Sequence, residues 1–181
     1  NTREDMDRLL NEQLERLQTD HIDMYLLHAL NVGLWSKMKE LGYQDFLKSA
    51  IADGRIRYAG FSFHDHVALF EEIVDSYDWS FCQIQYNYID ENFQAGRRGL
   101  KKAADKGLGI VIMEPLRGGS LVANLPADAQ AIFDGAAHKR SNVDWALNWL
   151  WDDADVHVAL SGMSDFSHVE ENLILADKAQ A

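Results

Sequence analysis

Ile22-Asp23-Met24-Tyr25-Leu26-Leu27-His28 is the stretch that decides the fold. It has strand length, is largely apolar and ends on a histidine, which reads as a buried strand whose carboxyl end reaches a polar rim. Upstream, Thr2 and Asp5 form a capping-box pattern, and Met6, Leu9, Leu10, Leu14 and Leu17 follow at helical spacing. An amphipathic helix therefore leads into the strand.

Downstream the alternation continues. The chain reads as irregular after Ala29 through Trp35 and Met38. A helix then carries Phe46, Leu47, Ala50 and Ile51 and stops at Gly54. Ile56-Arg57-Tyr58-Ala59-Gly60-Phe61-Ser62 reads as the next strand, followed by a helix showing Val67, Phe70, Ile73 and Val74. Residues 81–86 form another strand, with a basic-flanked helix over 97–106. Gly109-Ile110-Val111-Ile112-Met113 is apolar throughout, as a strand covered on both faces would be. Residues 114–140 read as a longer loop with a short helix near 127–133. Ser141 and Asp144 cap a helix bearing Val143, Leu147 and Leu150. Val156-His157-Val158-Ala159-Leu160 is the last strand, and Val169, Leu173 and Ile174 mark a closing helix.

Strand–helix alternation predicts parallel strands joined by right-handed crossovers. An open doubly wound sheet and a (β/α)8 barrel both satisfy it. No G-x-G-x-x-G turn follows a strand, which weighs against the dinucleotide version of the open sheet. A (β/α)8 TIM barrel typically takes ~250 residues. We therefore expect an α/β chain holding only about the last five β/α units, with residues 1–181 forming the carboxyl-terminal portion of one barrel domain. The chain opens on a helix cap without an initiating Met, so the first strands are expected to lie outside it. An arc of this kind has two open edges, which favour self-association.

Composition narrows the function. The 181 residues are 47% hydrophobic, enough for a real core, and the formal net charge is −12. An acidic chain is a poor match for nucleic acid or an anionic membrane surface, which need clustered cations. No apolar run approaches the ~20 residues that cross a bilayer, and the first residues show no signal-peptide pattern. A cytoplasmic location is the expectation. The single cysteine, Cys82, excludes an internal disulfide and any all-cysteine metal site within these residues. It sits mid-strand and reads as a buried small hydrophobe. His21, His66, His138 and His157 show no metal-ligand spacing. The tryptophans at 145, 149 and 151 share one short helix and read as packing residues.

Ligands of barrels and open α/β sheets bind at the carboxyl ends of the strands. Those ends bring His28, then Ser62-Phe63-His64, then Gln83 with Tyr86 and Asn87 to a common rim. Met113-Glu114-Pro115 and Ser161-Gly162-Met163-Ser164 complete it. No one of these is diagnostic alone; their joint placement is informative.

From the first strand onward the sequence resembles the aldo-keto reductases. Asp23-Met24-Tyr25-Leu26-Leu27-His28 is similar to that family's strand ending in its catalytic histidine. Gly54-Arg55-Ile56-Arg57-Tyr58-Ala59-Gly60-Phe61-Ser62 resembles its "GKIRxxGxS" strand, and Cys82-Gln83-Ile84-Gln85-Tyr86-Asn87 its glutamine-bearing strand. Gly162-Met163-Ser164 through Glu171-Asn172 is similar to its closing cofactor-binding segment. Met113-Glu114-Pro115-Leu116-Arg117-Gly118-Gly119 resembles the branch with "MEPLxGG", some members of which carry a ferredoxin-like extension.

The resemblance implies reduction of an aldehyde or ketone by NAD(P)(H), with a tyrosine of lowered pKa giving the proton. Of the family's catalytic tetrad it places only the histidine here, at His28, to orient and polarise the carbonyl oxygen. The aspartate, tyrosine and lysine belong to earlier strands, and neither Tyr25 nor Lys37 matches their context. The chain alone is therefore expected to be inactive. The resemblance puts Ser62 and Gln83 at the nicotinamide carboxamide, although the asparagine often following that serine is Phe63 here. Met113 stands near the nicotinamide ring, where many relatives have a stacking tyrosine. Arg117-Gly118-Gly119 reads on its own chemistry as a cradle for the cofactor pyrophosphate, through backbone N–H groups and one cation, with a plain turn as the alternative. Gly162 and His168 stand where NADP-preferring relatives have cations, and Asn172 is placed at the adenine. Ser164 reads as the cap of the closing helix, with Asp165 in its first turn. Together these imply a tilt to NAD over NADP. The alternative is a non-catalytic regulatory or binding module on the same scaffold, and the upstream tyrosine and lysine discriminate the two.

Overall fold

The computed structural model describes residues 2–123 and 125–179. Helix α1 (Arg3–Leu17) opens on the capping box: the Thr2 hydroxyl accepts from Asp5 N, and the Asp5 carboxylate takes the Thr2 N–H. Then come β1 (Ile22–Leu30), α2 (Val32–Glu40), α3 (Tyr43–Ala52), β2 (Ile56–Phe63), α4 (Val67–Ser76) and β3 (Phe81–Gln85). They are followed by α5 (Gly96–Asp105), β4 (Gly109–Met113), α6 (Ser120–Ala123), α7 (Ala127–Gly135), α8 (Asn142–Trp151), β5 (Val158–Ala159) and α9 (Phe166–Ala179).

The strands form one sheet in the order β1-β2-β3-β4-β5, every pair parallel. A doubly wound sheet reverses its order at a switch point and so puts helices on both faces. This sheet never reverses, and it has the topology of a barrel arc. Pairing registers place Tyr25 beside Ala59, Leu27 beside Phe61, Phe61 beside Cys82, and Cys82 beside Ile110. Those residues face the helices. Ala59, Phe61, Cys82, Ile84, Ile110 and Ile112 are all buried there. The opposite, concave face carries Met24, Tyr58 and Val158, each about half exposed or close to it (52%, 55% and 45%).

An aromatic cluster anchors the helical side. Phe70 of α4 packs its ring 5.6 Å from Phe61 and 5.1 Å from Phe63, and Tyr43 stacks on Trp79 at 5.9 Å. Cys82 lies among these layers, and burial pushes its thiol up to about 12, so it is an inert core residue. The ring of His157 is likewise structural, its Nδ1 accepting from Ile110 N at 3.2 Å. Among the described residues no helix is long and apolar enough to cross a membrane, and no group of three or more His, Cys, Asp and Glu is placed to hold a metal.

Several boundaries differ from the sequence expectation. The stretch read as irregular after Ala29 is helix α2, which puts Lys37 on a helix and not in a loop. Asn31 caps it by accepting from Leu34 N at 3.0 Å, and Trp35 locks it by donating to Glu72 of α4 at 2.6 Å. Gly33 blurs the helical pattern there, and tertiary anchoring overrides propensity. The last strand contracts to Val158–Ala159, and α6 adds a turn within the long loop. The cap of α9 is Asp165 and not Ser164: Asp165 Oδ1 accepts from Ser167 N at 2.9 Å and from the Ser167 hydroxyl at 2.6 Å. Those two bonds, hydroxyl first, hold the Asp165 carboxyl below its ordinary range.

Candidate functional site

β1 does not end at His28. It continues to Leu30, and its register against β2 slips between Leu27 and Leu30. The slip is a bulge centred on Ala29, whose φ of 56° lies in the left-handed region that disfavours a side chain. Ser62, a residue only 1% exposed, explains how the bulge is held: its hydroxyl accepts from Ala29 N at 2.6 Å. By strand alternation His28 shares the concave face with Met24 and Leu26. Its side chain is exposed and has no hydrogen bond or ion pair among the described residues.

Next to Ser62 in register stands Gln83, and Gln85 pairs with Met113. Gln83 is half-buried and its amide reaches only the Met113 sulfur, at 3.6 Å. A thioether is a weak acceptor, so the carboxamide has hydrogen-bonding capacity to spare. Bulge, Ser62, Gln83 and Met113 thus form one continuous strip across four strand ends.

A second group of candidates meets in a cleft of about 360 Å³ beside the strip. Arg117 and Gly118, from the loop after β4, face Gly162, Ser164, His168 and Asn172 across it. Arg117, Gly118 and Gly119 all have positive φ (50°, 63° and 87°). The N–H groups of Arg117 and Gly119 are spent inside the turn, on the Glu114 and Leu116 carbonyls. That leaves the Gly118 N–H without a protein acceptor among the described residues, so the backbone cradle is narrower than a three-residue nest. Space exists above it: a Cβ at Gly118, Gly119 or Gly162 would meet nothing within 4 Å. Asn172 is oriented by donating to the Ser161 hydroxyl at 3.0 Å.

The cleft's electrostatics are mixed. Arg117 and His168 are its basic lining groups, and Glu114 and Glu171 its acidic ones. A residue missed in the sequence lies beneath. Asp90 is 6% exposed, and one carboxylate oxygen accepts from Gln85 at 2.8 Å and Asn87 at 2.9 Å. The Asn87 oxygen in turn accepts from Ile89 N and Asp90 N, an Asx turn whose Asn-x-x-Asp spacing was a readable signal. Strip and cleft meet at Met113 and Glu114, which are consecutive residues.

The comparisons agree with the parallel five-stranded fold. A search of curated proteins finds no match. Among solved structures, aldo-keto reductase AKR11C1 from Bacillus halodurans superposes in its holo form with a TM-score of 0.80 at 20% identity, over 96% of this chain and 62% of that one. The thermostable aldo-keto reductase Tm1743, solved in complex with the inhibitor epalrestat, gives 0.77 at 26% identity, over 97% of this chain and 62% of that one. The chain thus spans about three-fifths of the length of the relatives it matches. The family model for the aldo/keto reductase family matches residues 1–179, and the chain belongs to that family.

Proposed function

We propose that this chain is the cofactor-holding part of an NAD(P)(H)-dependent reductase of aldehydes or ketones. The observation that carries the reading is the continuity of strip and cleft: a partnerless imidazole on the bulge and a spare carboxamide at Gln83 adjoin a cleft with one guanidinium and an open glycine turn. In this reading Gln83, backed by Ser62, orients the nicotinamide, and Met113 fills space beside it. Arg117 and Gly118 take the pyrophosphate, and Gly162, Ser164, His168 and Asn172 surround the adenosine. The residues present fit a dinucleotide, which when bound supplies hydride to the carbonyl carbon. His28 donates a hydrogen bond to the carbonyl oxygen as negative charge develops there. The proton donor expected of the family has no counterpart in these residues, so the 181-residue chain alone turns over no carbonyl.

Adenosine selectivity follows from the cleft's charges. A 2′-phosphate would meet His168, with Glu171 and Asp165 nearby in sequence and no lysine in the lining. NAD is accordingly favoured over NADP. Two measurements test the proposal: carbonyl-dependent oxidation of NADH and NADPH by the full-length gene product, and the two dissociation constants. Absence of dinucleotide binding would refute the function, and a preference for NADP above about tenfold, ~1.4 kcal/mol, would refute the selectivity.

A further inference from the structure

Asp90 is the one buried acidic or basic side chain (Asp, Glu, His, Lys or Arg) among the described residues, and the proposed chemistry does not use it. Burying a carboxylate is costly unless it is well partnered. Its Oδ2 is partnered by two neutral amides, Gln85 at the end of β3 and Asn87 in the loop beyond. Neutral amides would serve an asparagine as well. What the charge itself faces is the Arg117 guanidinium, 3.8 Å from Oδ1.

Arg117 is half exposed (side chain 52%), and a loose pair with one exposed member adds little to stability. The pair makes sense as preorganisation. An arginine at a turn tip sacrifices rotamer freedom when it clamps an anion, a cost reduced if the side chain is already held. Asp90 also acts on the turn's backbone. Asn87, which donates to Asp90, donates from the same amide to the Glu114 carbonyl at 3.0 Å. Glu114 itself has a φ of 57°, so this bond braces a strained residue where the turn begins.

We propose that Asp90 is a positioning residue for the dinucleotide: it holds Arg117 over the cleft and, through Asn87, fixes the turn that presents Gly118. This rests on the pyrophosphate reading of the cleft. The ligand class it serves is the diphosphate bridge of NAD(H) or NADP(H), and it acts only through Arg117 and the turn.

A double-mutant cycle on the full-length gene product tests it, with Asp90→Asn, Arg117→Met and the pair, titrated with NADH and NADPH. Asparagine keeps an acceptor for Gln85 and Asn87 and removes only the charge. Asp90→Asn is expected to weaken dinucleotide binding by up to about tenfold, with the loss on the cofactor KM and not on kcat. In the Arg117→Met background the same substitution is expected to change binding less than about twofold, because the group it positions is gone. Additive losses would overturn the proposal and leave Asp90 a fold residue, as would a loss confined to kcat. Tighter binding by Asp90→Asn would also overturn it, showing that the carboxylate only neutralises Arg117. A wild-type protein that binds neither dinucleotide would overturn the functional reading and this proposal together; binding by the wild type with an additive cycle removes this one alone.

Discussion

The two faces of the sheet are made by the same strands, residue alternating with residue, yet they obey different rules. On the helical face Phe61 is 0% exposed and wedged against Phe70 and Trp79, while one residue earlier Gly60 faces the concave side with no side chain at all. The helical face is filled for stability. The concave face carries His28, which has no hydrogen bond or ion pair among the described residues, the half-buried Gln83 and the exposed Met24 and Tyr58. Strand parity thus separates a helical face filled with aromatic and aliphatic side chains from a concave face that mixes exposed side chains with buried ones such as Phe81 and Val111.

The sharpest way to break this contrast is truncation on each side. Phe61→Ala is expected to cost about 3–5 kcal/mol of unfolding free energy, whereas Tyr58→Ala, three residues away, should stay within roughly 0.5 kcal/mol. Urea denaturation of both variants decides it, and equal losses would dissolve the distinction. A smaller effect is expected where the concave face is tightly packed. A Cβ at Gly60 would sit 2.5 Å from the Phe81 ring, so Gly60→Ala should cost about 1–3 kcal/mol by overpacking. Of similar or lesser size is Ser62→Ala, which orphans the Ala29 N–H for roughly 1–3 kcal/mol. Its distinguishing sign is faster hydrogen exchange at the Ala29 amide, with the helical core amides unchanged. An unaltered Ala29 rate would mean that the bulge is held by something else.

The smallest effect concerns pH. Asp65, between β2 and α4, accepts from Val32 N at 2.8 Å and His66 N at 2.7 Å, and these bonds, Val32 first, lower its carboxyl below the ordinary value. A folded-state value below the unfolded one means that the unfolded chain binds the proton more readily. Its stabilisation is complete above the ordinary carboxylate range and is lost as pH falls through and below it. Asp65→Asn keeps an acceptor for Val32 and removes the charge. Its deficit in melting temperature should be present at pH 7 and close on titration to about pH 3. A deficit that persists unchanged at low pH would assign the effect to geometry and not to charge.

Much of this architecture was legible because it is written locally. Apolar runs at 22–27, 56–61, 81–84 and 109–113 mark strands whatever surrounds them, and Thr2, Asp5 and Ser141 announce helix starts by their own spacing. Helix α2 was illegible because its anchor is a tryptophan bonded to Glu72, 37 residues away. That His28, Ser62, Gln83 and Met113 lie at or near the carboxyl ends of their strands could be named in advance, since parallel strands of one sheet finish on one side.

What the sequence determined by itself was the alternation of strand and helix, the parity of each strand and the order of the candidate residues, all set by neighbours within one or two turns of chain. Only the tertiary structure decided that the strand order never reverses, that β1 runs past His28 through a bulge, and that Asp90 stands behind Arg117. Each depends on groups far apart in the chain, such as a hydroxyl meeting an N–H 33 residues away. No local pattern records such a meeting, because the bond exists only once the sheet has brought its ends together.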